Sequence, residues 1–240
     1  MNGLDLSAIS FVNYFGHHLP GWLNRLLFFA NDSNLLTWMP VTSMLWWAWF
    51  SRDGEENQNR RLALSTILAC ALLLFVFYIV QESPVRPAFR PRPIFNPVAH
   101  FQMPQSVELP RRNDPYWVDS SSFPSGHAAI FTAITLGVFL ISPPMGMLCL
   151  AYALFVCWLR LYFGFHYATD VIGGILMGMA TFCVANSKFV RRMLTERAVS
   201  WVNAYPAFFY VIFFVFTFQI ATGFHESRTL IHFVRVVLKG

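Results

Sequence analysis

Long apolar runs broken by short polar stretches set the plan of the chain. Residues 34–50, 62–81, 125–142, 144–163, 167–187 and 203–223 approach or reach the ~20 mostly apolar residues that a membrane helix needs. The run at 34–50 is the shortest, and its apolar character extends back toward Leu26. Residues 4–30 mix Leu, Phe, Ile and Trp with Asn, His and Pro, which predicts a helix lying in the interface, followed by a turn at Asn31-Asp32-Ser33-Asn34. No internal repeat is present. The pattern predicts an all-α fold: a polytopic membrane helical bundle of about six transmembrane helices with interfacial helices, one domain over residues 1–240. Within it, 1–33 is the interfacial N-terminal segment, 82–124 an outer loop and 224–240 a tail.

Composition strengthens this plan. Hydrophobic residues are 56% of the 240 and charged residues 12%, with 26 Phe. Soluble domains run near 45–50% and 25%. The mean hydropathy is +0.48. That much apolar surface excludes a soluble globule, and a disordered chain would be biased the opposite way. Cys70, Cys149, Cys157 and Cys183 all lie inside apolar runs, with neither zinc nor disulfide spacing, and read as small buried hydrophobes. The start, Met1-Asn2-Gly3-Leu4-Asp5, lacks the basic lead of a cleaved signal, so insertion is expected to rely on the apolar segments.

The net charge is +5, but the basic residues form clusters between apolar runs, not one stripe, so nucleic acid is not the expected partner. Arg52, Arg60 and Arg61 in loop 51–61, and Lys188, Arg191, Arg192 and Arg197 in loop 188–202, fall on one side, which is expected to be cytoplasmic. Both chain ends, loop 82–124 and the short connection near 163–167 then face outward. Arg86, Arg90, Arg92, Arg111 and Arg112 lie on that outer side, against the charge rule unless they bind an anion. Loop 82–124 is rich in Pro and Arg, with Phe95, Phe101, Tyr116 and Trp117 interleaved. A loop of that length is usually functional or disordered.

Three polar clusters stand at the outer ends of these spans. Arg86-Pro87-Ala88-Phe89-Arg90-Pro91-Arg92-Pro93 supplies guanidinium forks that match phosphate oxygens, or else a basic patch for lipid head groups. Ser122-Phe123-Pro124-Ser125-Gly126-His127 opens the third span. Free N–H groups there favour an anion, Gly126 permits close approach, and His127 sits where it could donate a proton; an ordinary cap is the plainer reading. Arg160-Leu161-Tyr162-Phe163-Gly164-Phe165-His166-Tyr167-Ala168-Thr169-Asp170 joins the fourth and fifth spans. Asp170 follows His166 by four, a spacing that shares one face on a helix, and a carboxylate on one imidazole nitrogen leaves the other free to attack. A structural Arg–Asp pair with a bystander histidine is the alternative. One helix count puts all three clusters on the same side. Two histidines, several arginines, an aspartate and a helix N-terminus around one outer cavity have the makings of phosphoryl transfer.

These clusters resemble the signature of the type 2 phosphatidic acid phosphatase superfamily. The second motif of that family, Pro-Ser-Gly-His, stands here as Pro124-Ser125-Gly126-His127. Its third, Ser-Arg-x5-His-x3-Asp, is matched by Arg160, His166 and Asp170, with Leu159 in place of the serine. Of its first, Lys-x6-Arg-Pro, the end is present as Arg92-Pro93; Val85 occupies the lysine position and Arg86 follows it. The N-terminal layout looks like the bacterial undecaprenyl-diphosphatase branch.

The resemblance implies that His166 attacks phosphorus to form a phosphohistidine. Asp170 then orients His166, and His127 protonates the leaving oxygen and later activates water. Arg92, Arg160 and Arg86 would clamp phosphate oxygens with Ser125 and the Gly126 N–H. No metal or other cofactor is implied. The expected substrate is a lipid phosphate or pyrophosphate, undecaprenyl pyrophosphate first, met at the periplasmic face of a bacterial inner membrane. A phosphotransferase with the same intermediate, and a phosphatidylglycerophosphate or lipid A phosphatase, remain open in-class. A lipid-phosphate transporter is the rival from another class; it would need polar or broken mid-span helices, whereas the ionisable residues here cluster at span ends. Gly174-x3-Gly178 is expected to serve close helix packing, and Met145, Met177 and Met179 to fill the core. The tail residues His225, Glu226, Arg228, His232, Arg235 and Lys239 suit an amphipathic interfacial helix without chemistry.

Overall fold

The computed structural model describes residues 2–51, 56–82, 90–108 and 121–223. Arg86, together with Arg52, Arg111, Arg112, Tyr116, Trp117 and the 224–240 tail, lies outside them. The described residues form helices α1 (Gly3–His18), α2 (Gly21–Asp32), α3 (Asn34–Phe50), α4 (Glu56–Glu82), α5 (Gly126–Ile141), α6 (Pro143–Tyr162), α7 (Ala168–Ala185), α8 (Glu196–Ala204) and α9 (Pro206–Ala221). The fold is an all-α membrane bundle, as the apolar runs predict. Gln58–Phe77, Pro143–Tyr162 and Ala168–Ala185 are long and apolar enough to cross a membrane. Helices α5 and α9, at 16 residues each, are shorter apolar helices of about 24 Å at 1.5 Å per residue. Apolar side chains face outward along α9: Phe208, Val211, Ile212, Phe214, Val215 and Phe218 are all exposed, as a lipid-facing surface requires.

Packing centres on α5, which touches α4, α6, α7 and α3. Glycines set its closest approach to α7. A Cβ on Gly174 would lie 2.4 Å from the Ser125 carbonyl oxygen, and one on Gly178 2.3 Å from that of Ala129. No side chain fits there, so the expectation that Gly174 and Gly178 serve packing agrees with the geometry. The buried core runs through Val41, Leu45, Trp49, Leu73, Phe131, Ile134 and Val138.

Two regions differ from the expectation. The interfacial stretch is two helices, not one: Pro20 lacks an N–H and breaks the chain between α1 and α2, and Ser33 alone separates α2 from α3. The stretch 188–202, expected as a loop, is helical from Lys188–Val190 through a π turn at Arg191–Thr195 into α8. Its Lys, Arg and Glu are good helix formers, and apolar Phe189 and Val190 recur four residues on as Met193 and Leu194, a helical spacing.

Helices α1 and α2 grip the outer loop. Asn13 Nδ2 donates to the His100 carbonyl (2.9 Å) and Asn13 Oδ1 accepts from the Gln102 N–H (2.9 Å). Asn24 donates to the carbonyls of Gly16 and Gln105 and accepts from the Tyr162 hydroxyl (2.6 Å). The loop closes on itself where the Ser122 N–H meets the Arg90 carbonyl at 2.8 Å. The N-terminal segment, the outer loop and the tips of α5, α6 and α7 therefore share one end of the bundle.

Candidate active site

The turn between α6 and α7 positions the first histidine. Gly164 takes φ +66°, a left-handed conformation suited to glycine, and its missing Cβ leaves room for the Phe101 ring. The chain then folds back on the last turn of α6, with the N–H groups of Phe165 and His166 reaching the Arg160 carbonyl at 2.9 and 3.3 Å. His166 is thus set beside Arg160 in a turn. It does not sit on α7, so its proximity to Asp170 comes from the cap of α7 and not from a shared helix face. The loop is tied to the same turn: the Ile94 N–H meets the Gly164 carbonyl at 3.0 Å, and Arg92 Nη1 donates to the Phe165 carbonyl at 3.0 Å.

His166 is buried, and its Nδ1 lies 2.8 Å from the Ser122 carbonyl oxygen. A carbonyl only accepts, so Nδ1 carries the proton and Nε2 keeps its lone pair. Asp170 Oδ2 stands 3.8 Å from Nδ1, near enough for charge attraction but too far for a hydrogen bond. The sequence predicts the carboxylate as the direct acceptor; in the structure the Ser122 carbonyl holds that place. The reason is that both Asp170 oxygens are engaged elsewhere: Oδ1 on Arg90 Nη1 (2.5 Å) and Oδ2 on the Tyr167 N–H (2.7 Å), where it caps α7. Burial drives the His166 imidazole down from 6.5 to about 4. The nearby Asp170 opposes this shift, and the charges of Arg92 and Arg160 add to it. The ring is therefore a neutral base at neutral pH.

His127 stands in the first turn of α5, with Ser125 as N-cap. Arg160 Nη2 lies 2.7 Å from His127 Nε2. Guanidinium only donates, so Nε2 accepts and the His127 proton sits on Nδ1 in this arrangement. The ring packs against Trp38 with centroids 4.5 Å apart. The buried Nε–H of Arg160 has no acceptor among the described residues. Ser125 is buried; its hydroxyl caps Ala128 (3.5 Å) and its N–H donates to the Asp170 carbonyl (3.0 Å), locking the starts of α5 and α7 together. A Cβ on Gly126 would meet Phe77 only at ordinary contact distance, 3.8 Å, so packing does not demand glycine there. Leu159 is buried in an apolar cluster with Val12, Tyr162, Phe163 and Phe165.

The structure brings His127, Arg160, His166, Asp170 and Arg92 to one end of the bundle, with Ser125 and Gly126 at the adjoining helix start. Sequence reasoning did not single out Asp5 or the Ser122 carbonyl, and it offered Arg90 to an anion where the structure pairs it with two carboxylates. Arg90 donates from Nη1 to Asp170 and to Thr169 Oγ1 (2.8 Å) and from Nη2 to Asp5 Oδ2 (2.6 Å), and stacks 4.0 Å over the Tyr167 ring. The signal that could have found Asp5 was its place as the lone acid in the first 31 residues.

Residues 85–194 match the PAP2 superfamily. The chain is 28% identical over 206 residues to a protein of Escherichia coli K12 named a putative undecaprenyl-diphosphatase, YbjG, covering 84% of this chain and 91% of that one. It is 27% identical over 177 residues to an undecaprenyl-diphosphatase of Sulfolobus acidocaldarius, covering 73% and 74%. No solved structure matches the chain.

Proposed function

We propose that this chain is a membrane-embedded phosphatase of the PAP2 superfamily and that it removes the terminal phosphate of a polyprenyl pyrophosphate, undecaprenyl pyrophosphate above all. The named relatives support the substrate class. The observation that carries the reading is the buried Nε–H of Arg160, which has no acceptor among the described residues, on the same guanidinium that holds His127 at 2.7 Å and beside the turn that bears His166. A buried donor without a partner costs ~1–3 kcal/mol, which a phosphate oxygen would recover.

In the proposed mechanism, Arg160 and Arg92 draw the phosphate oxygens in, with Ser125 and the Gly126 N–H at the helix start. Arg86 is proposed as a further clamp. His166 Nε2 attacks the terminal phosphorus; the P–N bond forms as the bond to the bridging oxygen breaks. Asp170 offsets the positive charge that develops on the ring. Once a phosphate oxygen has taken its place on Arg160, His127 takes up a second proton from solvent on Nε2 and, as the imidazolium, gives that proton to the leaving oxygen. Water then attacks the phosphohistidine, His127 takes the water proton, and inorganic phosphate leaves with His166 restored. The site is proposed to face the periplasm of a bacterial inner membrane. The seven basic residues of 51–61 and 188–202 support this placement, since those segments belong to the opposite ends of the spans.

The test is phosphate release from undecaprenyl pyrophosphate by the purified chain. A ³²P label on the terminal phosphate should be trapped on the wild type as an acid-labile, base-stable adduct. His166→Ala should lose both label and turnover. Label appearing on an added alcohol in place of free phosphate would make the chain a phosphotransferase. No label and no release from any lipid phosphate would sink the reading. Cysteines introduced near residues 100–105, probed with an impermeant thiol reagent in spheroplasts, check the facing.

A further inference from the structure

We propose that Asp5, on the N-terminal helix, is a positioning residue for Asp170 and acts through Arg90, which the two carboxylates share. The proposal rests on the phosphohistidine reading above and adds to it a role for a segment that lies outside the family's motifs.

The geometry is a closed network. Asp5 and Asp170 are 1% and 0% exposed. Arg90 spans them, Nη2 on Asp5 Oδ2 at 2.6 Å and Nη1 on Asp170 Oδ1 at 2.5 Å. Thr169 closes the ring: its N–H donates to Asp5 Oδ1 at 3.0 Å, its hydroxyl donates to Asp5, and that hydroxyl accepts from Arg90 at 2.8 Å. A buried carboxylate is costly unless paired, and Asp5 finds its partner beside Asp170.

Two consequences follow for Asp170. With two anchors, the guanidinium plane is fixed, so Oδ1 is held and Oδ2 stays on the Tyr167 N–H, 3.8 Å from His166 Nδ1. Secondly, two carboxylates on one guanidinium leave a net negative charge. Arg90 alone would cancel the charge that the phosphorylated imidazole needs; Asp5 offsets Arg90 and leaves Asp170 effective. The charged groups around His166 are Asp170 from α7, Arg92 from the outer loop and Arg160 from α6, the last bonded to His127 of α5. Arg90 meets Asp5 from α1, and Asp170 and the Tyr167 ring from the start of α7.

The test compares the full-length chain in detergent as wild type, Asp5→Asn, Arg90→Gln, the double variant and Asn2→Ala. Readouts are kcat, KM, the acid limb of kcat/KM on undecaprenyl pyrophosphate, and ¹³C-histidine NMR titration of His166. Asp5→Asn is expected to lower kcat by about tenfold, as losing a partner that orients a ligating histidine does, with KM within about twofold. It also moves the His166 titration and the acid limb to lower pH, because the charge of Arg90 then acts without its offset. In the Arg90→Gln background Asp5→Asn adds no further shift. Asn2→Ala removes the N-cap that accepts the Asp5 N–H (2.9 Å) and loosens the same helix end without changing charge. It leaves the limb in place. If Asp5→Asn does not fold, Asp5→Glu restores the charge and keeps the wild-type limb. Unchanged kcat and titration in Asp5→Asn, fully additive shifts in the double variant, or a shifted limb in Asn2→Ala overturn the proposal. A wild type that releases no phosphate sinks the phosphatase reading, while the NMR titration still decides the role of Asp5.

Discussion

Arg160 Nη2 and His127 Nε2 lie 2.7 Å apart, one side chain from the last turn of α6 and the other from the first turn of α5. The two groups proposed to meet the phosphate and the leaving oxygen thus hold each other before substrate arrives. The bond keeps both side chains beside the place proposed for the phosphate until a phosphate oxygen displaces the imidazole from the guanidinium.

Removing that guanidinium is expected to cost more than binding. Arg160→Ala should lower kcat by about 10²–10³, the usual loss for a donor to a developing oxyanion. Arg160→Lys should recover only part of it, since an ammonium lacks the planar fork that grips two phosphate oxygens at once. Steady-state kinetics on undecaprenyl pyrophosphate check both. An Arg160→Ala variant that changes KM alone would place Arg160 in ground-state binding only.

Acidity gives a second expectation. With the His166 ring lowered from 6.5 to about 4, mainly by burial, the nucleophile stays unprotonated through mildly acidic solution. The acid limb of kcat/KM should fall near pH 4. Arg92→Gln should move it upward, because Arg92 is one of the charges that hold the ring down. The same shift bears on stability. Between about 4 and 6.5 the unfolded chain binds a proton at His166 that the folded chain refuses. Folding stability from this group is therefore complete above 6.5 and lost as pH falls toward 4. A pH–rate profile and melting curves in detergent between pH 4 and 7 measure the two effects.

The helices were legible because the pattern is strong: each expected span from 34–50 to 203–223 holds a helix, its ends within a few residues of those expected where the run is most apolar. His127, Arg160, His166 and Asp170 were legible because the motif residues lie at fixed spacing on both sides of two helix ends. Arg90 was not, since in an irregular loop spacing does not say which of Arg86, Arg90 and Arg92 turns inward, and the structure gives Arg90 to two carboxylates and Arg92 to a backbone carbonyl. The Ser122 carbonyl could not be read at all, because a backbone acceptor leaves no mark in the side-chain sequence. The 188–202 segment was misjudged for a different reason: its charges outweighed its helix propensity in a reading tuned to span ends.

Trp38 supplies a third test, on an element far from any motif. Its ring lies 4.5 Å from His127 and edge-on to Phe131, at 5.0 Å, so it limits the rotamers His127 can adopt. Trp38→Phe should keep the platform and stay within about threefold of wild type, while Trp38→Ala should lose roughly tenfold or more in kcat as the general acid wanders from its near-attack position. Equal losses in both variants would mean that the indole matters for something other than packing. Comparison of kcat with KM for the two variants decides it.

The α5–α7 contact joins packing to chemistry. Gly174 faces the Ser125 carbonyl, at the cap of α5 and two residues before His127, whereas Gly178 faces the Ala129 carbonyl one turn deeper. Both contacts are to backbone, which cannot swing aside, so either Gly→Ala change must push the helices apart and should cost ~1–3 kcal/mol. The functional effects should differ. Gly174→Ala displaces the helix start that carries Ser125, Gly126 and His127, and loosens the bond between the Ser125 N–H and the Asp170 carbonyl. Its kcat should fall well beyond what the lost stability explains. Gly178→Ala should lower the melting temperature by a similar amount with kcat changed less than about threefold at a temperature where it is folded, because the strain lies a turn below the reacting groups. Melting curves and kcat measured on the same detergent-solubilised samples separate the two, and equal kcat losses would show that strain at the helix pair spreads to the site as a whole.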